Sequence, residues 1–312
     1  MKILNPNRKN PLRLALLIIL PVAVMTFALL HITHALFRPP DVSEVDPTPE
    51  KPVNVPDPVD FQSVIDDWSA SLLSENSDAK IAVKIYDLDL NQPAGALNER
   101  EKFTLGTLSP FFSAYEEAVR LSNPDYGYNK DDILVKEKSF TRASCLDLAL
   151  REGNETCASA LLSDIGELEL NRLIKSDYGL ENSTYRVSTA EDLTKMWQLY
   201  MNHEHFSAEV LGALLNTLLV QPDSKDGVCF DLCHFRLGLP AGFSESYSVY
   251  NKVGWEITGS KDGADLYSFY HNTALVSRAG RNFLITVLTE NLPSPESSLR
   301  TLATSLESAL SN

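Results

Sequence analysis

The chain has 312 residues, of which 44% are hydrophobic and 22% are charged. This is the composition of a globular protein, and it excludes a fibrous or wholly disordered chain. The net charge is −15, but residues 1–40 contain five basic and no acidic side chains, so residues 41–312 carry −20. A body this acidic repels phosphate backbones, and we therefore expect no nucleic-acid partner.

A run of 24 residues without Asp, Glu, Lys or Arg extends over 14–37. It exceeds the roughly 20 residues that a membrane-spanning helix needs. Four basic residues precede the run: Lys2, Arg8, Lys9 and Arg13. The positive-inside rule therefore predicts a cytoplasmic segment 1–13, a single span and an exported remainder. The alternative is a cleaved signal peptide, but no convincing cleavage site follows the run, and we expect an uncleaved anchor in the cell membrane.

A proline-rich spacer follows the predicted span. Residues 39–59 contain seven prolines, several acidic residues and no aromatic residue, which favours an extended and solvated chain. We therefore divide the chain into a cytoplasmic segment (1–13), a transmembrane helix (14–37), a linker (38–59) and an extracytoplasmic domain (60–312).

The four cysteines all lie in the predicted extracytoplasmic domain. An oxidising compartment favours two disulfides with three possible connectivities, and proximity favours Cys145 with Cys157 and Cys229 with Cys233. A zinc site is the alternative, because His234 directly follows Cys233. The first two cysteines do not have the spacing of a second ligand pair, so we expect neither a metal nor a cofactor.

The exported domain shows helical periodicity over 60–73, then a strand pattern over 81–88 and a second short strand near Ala96. The middle is mainly helical, with six predicted helices: 113–121, 145–151, 157–165, 167–176, 189–200 and 208–219. Three strands and a closing helix follow, at 248–255, 264–277, 282–291 and 296–310. The order predicts an α+β domain whose antiparallel sheet is completed by N- and C-terminal segments around a mainly helical middle.

Three local sequences carry a family resemblance: Glu152 to Gly166, Ser188 to Trp197 and Arg236 to Trp255. Together with the order of elements, they resemble the superfamily of class A β-lactamases and penicillin-binding proteins. The resemblance covers about 60–312, and it implies a serine hydrolase fold with three motifs: Ser-x-x-Lys, Ser-Asp-Asn and Lys-Thr-Gly.

The nucleophile motif is not intact. In that family the serine attacks a carbonyl carbon, and a lysine one helical turn later takes up its proton. Here Thr107 stands in the place of the serine and Pro110 in that of the lysine. Shifting the alignment to Ser109 or Ser113 does not restore a lysine either.

The other motifs are also altered. Gly153 and Glu155 take the outer places of Ser-Asp-Asn, which removes the relay hydroxyl and replaces an amide by a carboxylate. Val253 replaces the threonine of Lys-Thr-Gly, while Lys252 and Gly254 remain as ligand-binding candidates. The pattern of the family's water-positioning glutamate occurs at 167–171, but we interpret it as coincidence because it follows the second motif too closely.

The apolar run predicts a membrane anchor, and these substitutions predict that the β-lactamase-like domain has lost catalysis. We therefore expect it to act as a binding or scaffold module at the cell envelope. A peptidoglycan peptide or an envelope protein is the expected partner. One alternative is an active β-lactamase or peptidoglycan peptidase with a non-standard catalytic set. Another is a mechanical subunit, in which no open cleft would lie beside Lys252.

Overall fold

The computed structural model describes residues 57–202, 205–220, 237–261 and 264–311. Residues 56–312 form a compact unit. The predicted membrane span, most of the spacer, and Cys229, Cys233 and His234 lie outside the described residues. Within those residues, no helix has the length and apolar character needed to cross a bilayer.

Nine helices and nine strands are described. The helices are α1 (Gln62–Glu75), α2 (Pro110–Ser122), α3 (Arg142–Arg151), α4 (Glu155–Ile165), α5 (Glu167–Ser176), α6 (Ala190–Asn202), α7 (Ala208–Leu218), α8 (Leu239–Gly242) and α9 (Pro295–Leu310). The strands are β1 (Lys80–Asp87), β2 (Gln92–Leu97), β3 (Phe103–Thr104), β4 (Ile133–Val135), β5 (Phe140–Thr141), β6 (Val187–Ser188), β7 (Ser248–Lys261), β8 (Ala264–Arg278) and β9 (Arg281–Glu290).

The central sheet has the order β2-β1-β9-β8-β7, and all its neighbouring strands are antiparallel. Strand β1 pairs with β9 across its full length, so the first and last strands of the domain lie side by side. This pairing confirms the predicted α+β fold with a sheet completed by both ends of the chain. Strand β7 lies at the sheet edge, where it borders the helical middle.

The two faces of the sheet pack against different helices. One face, which includes Val83, Val253 and Ile285, packs with residues of α1, α8 and α9. The other face packs with the helical middle, around Trp197 and the aromatic residues of α2. Both layers bury large apolar side chains, and hydrophobic burial therefore holds each layer of helices on the sheet.

A buried arginine connects α2, α3 and α4, the helices next to the first two motif segments. Arg142, at the start of α3, donates to Glu117 of α2 over 2.9 Å and to Asp164 of α4 over 3.0 Å. Such charge-assisted bonds fix geometry as well as adding energy. These bonds therefore fix the positions of α2, α3 and α4 relative to one another.

Most predicted elements agree with the observed ones to within a few residues. The predicted start of α6 is confirmed, since the Thr189 hydroxyl accepts a hydrogen bond from the Asp192 backbone N–H. The largest difference is β7, which continues to Lys261 rather than ending at Trp255. Residues 264–267 of β8 pair with β7 but not with β9, so this end of the β7–β8 hairpin extends beyond β9.

Candidate functional site

A cavity of about 430 Å³ lies between the helical middle and the edge of the sheet. Thr107 and Pro110 line its floor, while Gly153 and Glu155 line one wall. The motif-equivalent positions predicted from separate parts of the sequence thus share one cavity. Strand β7 supplies the opposite wall through Trp255 and residue 256.

The floor is a short 3-10 turn, Gly106–Leu108, that leads directly into α2. Leu105, just before the turn, and Leu108, its last residue, are fully buried, whereas Thr107 between them lines the cavity. The Thr107 hydroxyl accepts a hydrogen bond of 3.1 Å from the backbone N–H of Trp255. Pro110 is the first residue of α2, a position that suits proline because its missing N–H would have no helical partner there.

The helical wall is built around the connection between α3 and α4. Gly153 has a φ of +64°, and a Cβ atom there would lie 3.1 Å from Cβ of Thr107. Glycine is therefore needed both for the backbone conformation and for the close approach to Thr107. Asn154 caps α4 by accepting from the Cys157 N–H, which leaves Glu155 as the first residue of α4.

A disulfide between Cys145 and Cys157 closes the loop that contains Gly153 and Glu155. This confirms the first predicted pair. Because these two sulfurs bond to each other, they are not ligands of the alternative zinc site. No group of three or more His, Cys, Asp or Glu in the described part of the chain could hold a metal ion.

Lys252 lies on β7 but points away from solvent, and it is not among the residues that line the cavity. Only 1% of its surface is exposed, and its Nζ donates to the backbone carbonyl of Ala149 over 3.2 Å. Burial lowers the pKa of Lys252 to about 7, because desolvation disfavours the charged ammonium. A lysine on an edge strand is commonly solvated, whereas Lys252 is buried.

The next two positions of β7 serve packing. Val253 lies in the core on the face of α1 and α9. Gly254 is buried, and a Cβ atom there would lie 2.5 Å from Cβ of Leu108 and 2.6 Å from the Leu105 carbonyl oxygen. The missing side chain lets β7 approach the Thr107 turn, which brings the Trp255 N–H within reach of the Thr107 hydroxyl.

Tyr185 and Arg186 also line the cavity, although no sequence motif marks them. Glu167 accepts two hydrogen bonds from Arg186, over 2.8 and 2.9 Å, and Asn171 accepts one from the Tyr185 N–H over 2.7 Å. Residues 167 and 171 are the outer positions of the pattern interpreted above as coincidence. They lie on α5 and hold the segment that borders the cavity. Burial raises the pKa of Tyr185.

An aromatic wall completes the cavity. Phe269 lines it and stacks on His271, with ring centres 4.9 Å apart. His271 accepts from the Thr289 N–H through Nδ1 and donates from Nε2 to the Thr104 carbonyl. Burial lowers the pKa of His271 to about 4, so it is a neutral support behind the wall rather than a base that faces the ligand.

Comparison with known proteins decides the family. The sequence model of the beta-lactamase enzyme family matches residues 116–310, which is more than half of the chain. The chain belongs to this family. No curated protein sequence matches it. The matched residues begin after Thr107 and Pro110, so the segment that the resemblance assigns to the nucleophile of this β-lactamase-family protein lies before the match.

Solved structures share the fold of the β-lactamase-family domain. A class A β-lactamase from Bacteroides cellulosilyticus DSM 14838 has a TM-score of 0.63 at 13% identity, over 80% of this chain and 98% of that one. The protein PBP-A gives 0.61 at 14% identity, over 82% and 99%. TLA-3, an extended-spectrum β-lactamase, gives 0.64 at 14% identity, over 80% and 99%. At these identities the likeness establishes the fold alone.

Proposed function

We propose that this protein is a membrane-anchored, extracytoplasmic β-lactamase-family domain that binds a ligand in its cavity without hydrolysing it. The observation that carries the proposal is the pair Thr107 and Pro110 on the cavity floor. They occupy the places that the family resemblance gives to the nucleophile and its base.

The side chain of Pro110 supports this proposal, because it cannot act as a base. An unassisted hydroxyl is a poor nucleophile near neutral pH, and attack on a carbonyl needs a group that takes up its proton. Pro110 has no ionisable group, and its ring is built into the first turn of α2. Loss of one member of a nucleophilic unit costs several orders of magnitude in rate.

Two further contacts point the same way. The Trp255 N–H, on the strand that helps to form the oxyanion hole in the related fold, donates instead to the Thr107 hydroxyl. The Lys252 ammonium, which the resemblance assigns to the substrate carboxylate, is buried against the Ala149 carbonyl. Both donors are engaged within the protein, and neither is presented to a ligand.

Lys252 itself does not line the cavity, but Trp255, three residues further along β7, does, and an open cavity at this place supports a binding role over a purely mechanical one. Its volume of about 430 Å³ lies in the range of small-molecule pockets. A peptidoglycan peptide or a segment of an envelope protein is the partner that we propose, since the predicted anchor would hold the domain at the membrane surface.

Incubation of the full chain with a fluorescent penicillin, and with nitrocefin, tests this function. We expect neither covalent labelling nor turnover above that of buffer. Labelling that is lost in Thr107→Ala would contradict the proposal and would support the rival function, an active hydrolase in which another group, such as Glu155 in the same cavity, acts as the base.

A further inference from the structure

The charge of the cavity differs from what an anionic ligand requires. Three charged side chains line it: Glu155 from α4, Glu256 from β7 and Arg186 from the segment before β6. The two carboxylates come from opposite walls and are both exposed. Arg186 is the only basic side chain among the described lining residues, so the lining has a formal charge of −1.

That single positive charge is already neutralised. Glu167 accepts both hydrogen bonds of the Arg186 guanidinium in a bidentate pair. A second cation, Lys252, lies nearby on β7, but it is 1% exposed and bonded to a backbone carbonyl. A carboxylate that enters the cavity would therefore meet two carboxylates and no unpaired cation of the described residues.

The aromatic lining attracts cations rather than anions. Trp255 lines the cavity and is half-buried, with part of its side chain exposed. Tryptophan is the aromatic side chain that best attracts a cation over its ring face. Together with flanking carboxylates, such a surface fits an ammonium group on an apolar stem, which can lie along Leu162 and Ala158 on the helical wall.

We propose that this cavity selects peptides that present a lysine-type ammonium group and rejects peptides that present a carboxylate in its place. The proposal deepens the function given above, because it names the ligand class of the same cavity. Glu155 and Glu256 hold the ammonium between the two walls, and Trp255 packs against its stem.

Three peptides that differ in one side chain test this selectivity. They are acetyl-Ala-Lys-Ala-amide and its counterparts with norleucine or glutamate in the centre. Each is added to the full chain at pH 7 and about 0.15 M salt, because this salt concentration screens long-range attraction to the acidic domain. Tryptophan fluorescence reports binding at Trp255, since the other two tryptophans, Trp68 and Trp197, are 7% and 0% exposed. We expect the lysine peptide to bind about tenfold more tightly than the glutamate peptide, with norleucine between them.

Matched variants separate the site from the overall charge. Glu155→Gln and Glu256→Gln should each weaken binding of the lysine peptide by about three- to tenfold. Glu75→Gln removes the same charge from an exposed position at the end of α1 and should leave binding unchanged. The peptide series on the unaltered protein still decides the question where a variant fails to fold.

Three results would overturn the proposal. The first is that the glutamate peptide binds as tightly as the lysine peptide or more tightly, and the second is that all three variants bind the lysine peptide with the same affinity. The third is that no peptide binds at concentrations up to about 10 mM, since a specific site would bind at much lower concentrations. Acylation by penicillin would contradict the non-hydrolytic function, but it would leave this charge preference to be judged by the peptides alone. The two failures are therefore distinguishable.

Discussion

At the scale of single residues, Lys252 keeps its place on β7 but has a different environment from that of a ligand-binding lysine. Its ammonium has one backbone carbonyl as hydrogen-bond acceptor and almost no contact with water. Taking a charge out of water costs free energy that one such bond offsets only in part. Lys252 therefore lowers stability whenever it is charged.

The pH dependence of stability tests this environment. The pKa of Lys252 is lowered to about 7, whereas an unfolded lysine titrates near about 10.4. Below pH 7 both states bind the proton and the full penalty is present. Between the two values the unfolded state binds more protons, so stability rises with pH.

We expect the wild type to gain about 2 kcal/mol in free energy of unfolding relative to Lys252→Met between pH 7 and pH 9. Urea denaturation of both proteins at the two pH values measures this difference, and groups that titrate equally in both cancel. A difference that does not change with pH would mean that Lys252 is solvated or paired with a carboxylate.

At the scale of secondary structure, the site depends on how closely β7 approaches the Thr107 turn. Gly254 permits this approach, because a Cβ atom there would overlap both Leu108 and the Leu105 carbonyl oxygen. Gly259 lies further along the same strand, and a Cβ atom added there would meet no other atom within 4 Å. The two glycines therefore offer a matched pair of substitutions.

Gly254→Ala should lower the free energy of unfolding by about 1–3 kcal/mol, the usual cost of overpacking, and should separate β7 from the turn. Gly259→Ala should change it by less than about 0.5 kcal/mol. Thermal unfolding measures both, at about 2–4 °C per kcal/mol for a domain of this size. Equal melting temperatures for the two variants would contradict the close packing of β7 on the turn.

The disulfide stabilises the connection between α3 and α4. For a cross-link that spans 12 residues, the chain-entropy model gives about 3 kcal/mol. We expect the double variant Cys145→Ala, Cys157→Ala to lose about 2–3 kcal/mol in urea denaturation, because the α3–α4 loop gains freedom in the unfolded state. A double variant as stable as the wild type would show that buried packing alone holds this loop.

The elements were largely predictable, and the cavity was predictable only in part. Apolar periodicity located the long helices and strands, and the family resemblance brought Thr107 and Gly153 together. Arg186 and Glu256 were missed because each is an exposed charge without a motif. The burial of Lys252 was missed because it depends on the packing of α3 on the sheet, and Cys229 and Cys233 lie outside the described residues.

At the scale of the whole molecule, the charge is divided between a basic N-terminus and an acidic remainder. By the positive-inside rule, we predict that the basic residues before the apolar run keep that end in the cytoplasm, whereas an acidic domain is not attracted to anionic lipid. Attachment to the membrane should therefore depend on the first forty residues alone.

Deletion of residues 1–40 should move the protein from the membrane pellet to the soluble fraction, because it removes the 24-residue apolar run. In intact cells stripped of their wall, an added protease should digest the domain of the full chain. A full chain that is released by high salt, or that is protected from the protease, would contradict the predicted anchor and its orientation.

The measurement that tests the central claim most directly is the intact mass of the full chain after prolonged incubation with penicillin G, beside Thr107→Ser. Serine restores the family's hydroxyl type, but Pro110 still offers no base, so both proteins should keep their unmodified mass. A penicilloyl adduct on the wild type that disappears in Thr107→Ala would show that the site is a working acyl-transfer centre, and it would contradict the loss of catalysis.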